Sequence, residues 1–145
     1  MARIVNIIFI VVFLILLGIQ FIPINKTNPI ITQDIQAPAE VKSILRNSCY
    51  NCHSNETKWP WYSELAPVSW MIVNDVNDAR KKLNFSSWDK ISFEKKEELK
   101  KDIWDEVRQD EMPLSLYLYL HPDAKLDLSQ KNMIKKWITG TGIGD

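Results

Sequence analysis

Both cysteines of the chain and one of its two histidines lie in one short motif, "CYNCH", residues 49–53. Cys49 and Cys52 are three residues apart, and His53 directly follows the second cysteine. Thiolate sulfur and imidazole nitrogen are metal ligands, and two neighbouring thiols can also form a disulfide. Three chemistries therefore compete for this motif: a dithiol–disulfide couple, a structural zinc site and covalent attachment of a c-type haem.

The spacing and the rest of the chain favour the haem. Redox Cys-x-x-Cys motifs accompany a βαβ pattern, and no strand pattern is found here. A zinc site needs four ligands, and only the distant His121 could complete the set. Two cysteines on about one helical turn can reach the two vinyl groups on one porphyrin edge. We predict that Cys49 and Cys52 hold one haem c covalently and that His53 is the proximal iron ligand.

The sixth position of the iron has four candidate ligands in this sequence. Met71 and Met133 fall on helical patterns, where a methionine usually packs in the core. His121 lies in a polar turn before the last predicted helix. Met112 follows a long predicted helix and directly precedes Pro113, whose fixed φ helps to hold a loop in place. We predict Met112 as the distal ligand, with His121 or a vacant position as the alternatives.

The first 22 residues read as a membrane segment. Ile4–Ile22 is a run of 19 residues with only three polar or glycine interruptions, which would reach roughly 28 Å as a helix. No small-x-small cleavage site follows the run, so we predict an uncleaved single-pass anchor, with a cleaved signal peptide as the alternative.

The charges beside this segment give its predicted orientation. Arg3 and the amino terminus precede the run and Lys26 follows it, so the positive-inside rule favours a cytoplasmic amino terminus. The remainder of the chain is then on the periplasmic or extracytoplasmic side, where c-type haem is attached. We predict an anchor over residues 1–22, a linker over 23–37 and a haem-binding domain over 38–145.

The soluble part of the chain shows helical periodicity and no convincing strand alternation. Four helices are predicted, and each has an apolar face. These faces are Val41, Ile44 and Leu45; Trp70, Val73, Val76 and Leu83; Phe93, Leu99, Ile103 and Val107; and Met133, Ile134, Trp137 and Ile138. The first helix leads into the cysteine motif, so the pattern predicts an all-α domain that presents this motif at a helix end.

Capping residues mark the ends of two of these helices. Ser92 suits the N-cap of the third helix and Ser129 that of the fourth, and Gly140 fits just past the end of the fourth. Leu114–Leu120 alternates most nearly like a strand, and we predict a short helix or an extended connector there.

Composition excludes one function class and suggests a flat ligand. The chain carries 18 basic and 18 acidic residues, so it lacks the basic excess typical of nucleic-acid binding. Six tryptophans indicate an aromatic core or a flat ligand. The candidates for an apolar shell around a haem are Trp59, Trp61, Tyr62, Trp70 and Trp88. Arg46 and Arg80 are candidates for bonding the haem propionates, with a solvated helix face as the default for each.

Three stretches carry a resemblance to a known family: "NSCYNCHSNETKWPWYSELAPVSW", "NDVNDARKKLNFSSW" and "DEMPLSLYLYLHPDAKLDLS". The arrangement resembles monohaem class I cytochromes c and, more narrowly, the bacterial haem-binding domain family of membrane-anchored c-type proteins. The resemblance covers roughly residues 38–139. It implies a small cytochrome c-like domain in which Cys49 and Cys52 form thioethers, His53 is proximal and Met112 is distal.

These observations predict single-electron transfer with an unspecified redox partner protein. Methionine as an axial ligand raises the haem reduction potential, which suits an electron carrier. The alternative is a haem-based sensor or a haem-binding accessory protein with an exchangeable sixth ligand. An enzyme such as a peroxidase is less favoured, because only His121 could serve as a distal acid–base group.

Overall fold

The computed structural model describes residues 1–140, and these fold into α-helices joined by short 3-10 turns. The helices are α1 (Ala2–Gly18), α2 (Ala39–Ser48), α3 (Tyr50–His53), α4 (Val68–Lys82), α5 (Phe93–Arg108), α6 (Ser115–Leu120) and α7 (Leu128–Thr139). The 3-10 turns are Ile19–Phe21, Trp61–Glu64, Trp88–Lys90 and Pro122–Ala124. Between residues 1 and 140 there is no β-strand, only one isolated parallel bridge between Gln33 and Ser87. The predicted all-α class is confirmed; residues 141–145 of the predicted domain lie outside the described part.

The N-terminal helix has no buried residue. With the turn that follows it, this apolar segment runs from Ala2 to Phe21, 20 residues with a mean hydropathy of 2.9. By length and composition it can cross a membrane, and a signal sequence has the same properties. The prediction of one apolar N-terminal helix is therefore confirmed.

The core of the domain lies where α2, α5 and α7 pack together. Its most enclosed apolar side chains are Ile35, Val41, Leu45, Phe85 and Ile134. On α5 the predicted apolar stripe is buried at Leu99, Ile103 and Val107.

The first residue of the predicted apolar stripe of α5 is not buried. Phe93 is 74% exposed. It is the first residue of α5, and the buried part of the helix begins only at Leu99, so Phe93 lies beyond the end of the packed face.

Helix ends follow capping chemistry, with one correction to the sequence-based prediction. Ser92 caps α5 as predicted, because its hydroxyl accepts from the Lys95 N–H at 3.3 Å. The N-cap of α7 is Asp127 and not Ser129, so that prediction is wrong. The Asp127 carboxylate accepts from the Gln130 N–H at 2.8 Å, and the Gln130 side chain accepts from the Asp127 N–H at 3.0 Å. This reciprocal capping box satisfies two backbone donors, which a cap at Ser129 would leave unpaired.

Past the end of α7, Gly140 lies where the sequence predicts it. Its φ of +66° is a left-handed conformation that favours glycine.

The segment over residues 23–37, predicted as a linker, lies along the domain in extended conformation. The Thr32 N–H donates to the Ser86 carbonyl at 3.0 Å, and Ile35 is fully buried in the core. The segment is therefore not a free tether over its whole length. The division into anchor, linker and domain stays a prediction.

An ionic cluster fixes the end of this segment to α2. Asp34 accepts from Tyr50 at 2.5 Å and from Lys42 at 2.7 Å, and Arg46 donates to it at 3.2 Å. Burial alone would raise the pKa of Asp34, but the hydrogen bonds from Lys42 and Tyr50 outweigh it and lower the pKa. The charged carboxylate is thus favoured in the folded state.

The burial of Ile35 generates a stability prediction. We expect Ile35→Ala to lower the free energy of unfolding by about 2–4 kcal/mol, because it leaves a cavity in the core. Ile31→Ala removes the same atoms from a side chain that is 45% exposed, and we expect a cost of about 0.5 kcal/mol or less. Guanidinium unfolding of both variants of the haem-loaded protein measures the difference. If Ile35→Ala lowered the free energy of unfolding as little as Ile31→Ala is expected to, the Ile35 side chain would add nothing to the core.

Candidate functional site

The cysteine motif forms one compact turn after a break between two helices. Helix α2 ends at Ser48, and Cys49 has a φ of −124°, outside the helical range. Helix α3 follows at once, with the N–H groups of Cys52 and His53 donating to the Cys49 carbonyl at 3.1 and 2.9 Å. The motif therefore lies at a helix end, as predicted, and the side chains of Cys49, Cys52 and His53 share one turn.

The His53 ring is held by the end of α4. Its Nδ1 lies 3.1 Å from the Leu83 carbonyl oxygen. A carbonyl can only accept, so Nδ1–H donates and Nε2 keeps its lone pair. The carbonyl is available because Leu83 is the C-cap of α4, past the intrahelical hydrogen-bond ladder.

Burial keeps His53 in its neutral form. Desolvation lowers the pKa of His53, and it outweighs the opposing interactions with the backbone of Leu83 and Ala79. A neutral imidazole with a free Nε2 is the form that binds a metal, and a carbonyl partner on Nδ1 fixes the tautomer of such ligands.

The guanidinium of Arg80 connects three parts of the chain around the motif. Its Nε donates to the Ser54 carbonyl at 2.7 Å and its Nη1 to the Thr27 carbonyl at 2.8 Å. Its Nη2 donates to Asn28 Oδ1 and to Thr57 Oγ1, both at 2.8 Å. We call this set of bonds the Arg80 brace. It ties α4 to the loop after His53 and to the extended segment.

The brace gives Arg80 a structural role, and its contact with a haem propionate stays a prediction. Four hydrogen bonds occupy four of its five N–H donors in the described structure. Arg46 is engaged in the same way, by Asp34 and Glu56 at 3.2 Å each.

Both cysteines are free, partly buried thiols. Burial raises the pKa of Cys49 to about 12 and also raises that of Cys52. Catalytic dithiols instead have lowered pKa values, so this environment does not favour a redox couple. Within residues 1–140 no three His, Cys, Asp or Glu side chains are grouped to hold a metal ion, so zinc gains no support either.

A chain of polar and aromatic contacts joins the motif to α6. Asn51, inside the motif, donates to the Tyr117 hydroxyl at 2.8 Å. The Tyr117 ring stacks on His121 with centroids 4.4 Å apart, and His121 Nε2 is 2.7 Å from the Tyr62 hydroxyl. His121 is thus already engaged on one face and at one nitrogen. This arrangement weakens its case as an iron ligand.

Met112 lies in the loop after α5. Its N–H donates to the Glu106 carbonyl at 3.4 Å, and its peptide bond to Pro113 is cis. This hydrogen bond holds the start of the Met112 loop against the last turn of α5.

The other methionines have different surroundings. Met133 packs against the core cluster, as expected for a methionine on an apolar helical face. Met71 lies on α4 and is 55% exposed.

The predicted aromatic shell does not form a single group. Trp88 is buried in the core, whereas Trp61 is 76% exposed. Trp59 and Trp70 are partly buried, and Tyr62 bonds His121. Tyr117 and Asn51 were not predicted as site residues, because side chains 66 positions apart leave no local pattern in the sequence.

The residues present fit a haem. Two uncommitted thiols and a neutral imidazole with a free Nε2 on one turn match the attachment and ligation chemistry of that group. An all-α domain with this site is of the class that binds haem. The chain belongs to the haem-binding domain family, whose family model matches residues 14–140. No curated protein and no solved structure matches the chain.

The Arg80 brace generates a prediction for the stability of the site. We expect Arg80→Gln to lower the free energy of unfolding of the haem-loaded protein by about 2–4 kcal/mol, because the carbonyl of buried Ser54 and the hydroxyl of buried Thr57 lose their donor. Arg108→Gln is the control, since Arg108 pairs only with the neighbouring Asp105 on the exposed side of α5. Denaturant unfolding of both variants measures the loss in free energy of unfolding. Equal losses would mean that the Arg80 brace stabilises the protein no more than an exposed ion pair does.

Proposed function

We propose that this haem-binding protein is a c-type monohaem cytochrome that transfers single electrons outside the cytoplasm. The observation that supports it best is the state of His53. Its ring directly follows two free thiols, and the Leu83 carbonyl leaves Nε2 open for iron.

Cys49 and Cys52 would hold one haem through two thioether bonds. Both lie on the turn that His53 closes, and neither is committed to a disulfide. Burial raises the pKa of both and so favours their neutral thiol form.

His53 and Met112 would be the two axial ligands. A hydrogen bond from Nδ1–H to a carbonyl orients an imidazole ligand and raises its basicity, and α4 supplies that carbonyl at Leu83. When bound, the haem supplies a one-electron ferric–ferrous couple, and a methionine ligand raises its potential. The Met112 loop follows the end of α5, and the Met112 N–H bonds the Glu106 carbonyl.

Electron transfer is favoured over catalysis by the contacts of His121. This histidine is the only one outside the motif, and it bonds Tyr62 and stacks on Tyr117. Distal acid–base chemistry uses a ring nitrogen, and the Nε2 of His121 is already bonded to Tyr62. We therefore propose a carrier with an unspecified protein redox partner and not an enzyme.

We also propose that the apolar segment Ala2–Phe21 stays attached as a membrane anchor with the domain on the periplasmic side. The side chain of Gln20, near its end, hydrogen-bonds the backbone of Ala66 in the domain. Such contacts support a segment that remains part of the folded protein.

The covalent attachment is tested by cysteine substitution. We expect Cys49→Ala and Cys52→Ala each to retain at most one thioether, because each removes one sulfur. The double variant should release all its haem in a denaturing gel. The pyridine haemochrome spectrum counts the remaining vinyl groups. Wild-type-like spectra for both single variants would refute thioether attachment at these positions.

The distal ligand is tested by methionine substitution. We expect Met112→Ala to convert low-spin ferric iron to high spin and to lower the reduction potential, because the thioether is lost. Met71→Ala, at a 55% exposed side chain on α4, is the control that should change neither. Optical spectra and redox titration measure both properties. An unchanged Met112→Ala spectrum would move the assignment to another ligand.

A further inference from the structure

The end of the apolar N-terminal segment is fastened to one loop of the domain. Gln20 Nε2 donates to the Ala66 carbonyl and Gln20 Oε1 accepts from the Ala66 N–H, each at 3.0 Å. Lys26 donates to the Ser63 carbonyl at 3.3 Å and forms an ion pair with Glu64. These contacts hold the stretch 61–68, which we call the interfacial loop, beside the exit of the segment.

The length of the apolar segment sets the depth of this loop. Ala2–Phe21 has 20 residues and none of it is buried by the domain. As a helix it spans about 30 Å, the thickness of a bilayer hydrocarbon core. Gln20 then lies at the membrane–water boundary, and Ala66, which it bonds, lies at the same depth.

The interfacial loop exposes apolar side chains at that depth. Trp61 is 76% exposed, Leu65 49% and Val68 42%. Trp61 touches Tyr62 edge-on, with ring centroids 5.7 Å apart. Exposed apolar side chains close together indicate a binding surface, and tryptophan is enriched where proteins meet the lipid headgroups.

The charge of the loop also suits a lipid surface. Glu64 is the one charged residue between Trp61 and Val68 in the sequence. It is paired with Lys26, so placing the loop among the headgroups leaves no carboxylate without a partner. A protein partner recognised by charge would instead need an excess of one sign.

We propose that the interfacial loop lies in the headgroup region of the bilayer that Ala2–Phe21 spans, with Trp61 and Leu65 inserted. This inference rests on the proposed membrane anchor. The domain is then held at a fixed orientation on the membrane surface, and its opposite end, where α4 finishes and α5 begins, faces the water.

Photo-crosslinking to lipid tests the proposal in the full, haem-loaded chain. p-Benzoylphenylalanine replaces Trp61 or, as a second variant, Leu65, and the protein is placed in phosphatidylcholine–phosphatidylglycerol vesicles. The control position is Phe93, which is 74% exposed at the start of α5. Lys95 of α5 and Lys82 at the end of α4 line one groove, so Phe93 lies roughly 20 Å from Ala66 by the length of α4. A fourth variant replaces Phe9, inside the apolar segment.

Intact-protein mass spectrometry after irradiation reads the result. We expect a one-lipid mass increase at positions 9, 61 and 65 and none at 93. An adduct at 9 but at neither 61 nor 65 overturns the loop proposal and leaves the anchor in place. No adduct at 9 overturns the anchor itself. A crosslink from 61 or 65 to a second copy of the chain, or to the haem, would show a different occupant of the loop and also overturn the proposal.

Discussion

The hydrogen bond between His53 and the Leu83 carbonyl is the contact on which the rest of the site depends. It selects the tautomer of the ring and leaves Nε2 free. It exists because α4 ends at Lys82, which leaves the Leu83 carbonyl without a helical partner. The Arg80 brace then holds α4 against the loop after His53. These contacts fix the position of the His53 ring in this haem-binding domain.

The extended segment before α2 connects this site to the apolar N-terminal helix. Arg80 bonds its carbonyl at Thr27 and the Asn28 side chain, and Ile35 completes the core. The same segment begins where Gln20 holds Ala66. The apolar N-terminal helix, this segment and the cysteine motif are therefore joined by a continuous series of contacts.

Local rules predicted the elements but not the contacts between them. Ser92 as a cap and the stripe of Leu99, Ile103 and Val107 followed from capping chemistry and helical period. The predictions for Phe93 and Ser129 were wrong, because the buried face of α5 begins only at Leu99 and the cap of α7 lies two residues earlier, at Asp127.

The burial of Ile35 and the hydrogen bond between Asn51 and Tyr117 had no signal in the sequence, because each depends on segments distant in the chain. The motif of Cys49, Cys52 and His53 could be predicted because its chemistry is confined to five residues.

The most direct measurement of the central claim is the intact mass of the denatured wild-type protein, made in cells that mature c-type haem. A mass increase equal to one haem is the predicted result. An unmodified polypeptide, from cells that load other c-type cytochromes normally, would contradict covalent attachment and the function built on it.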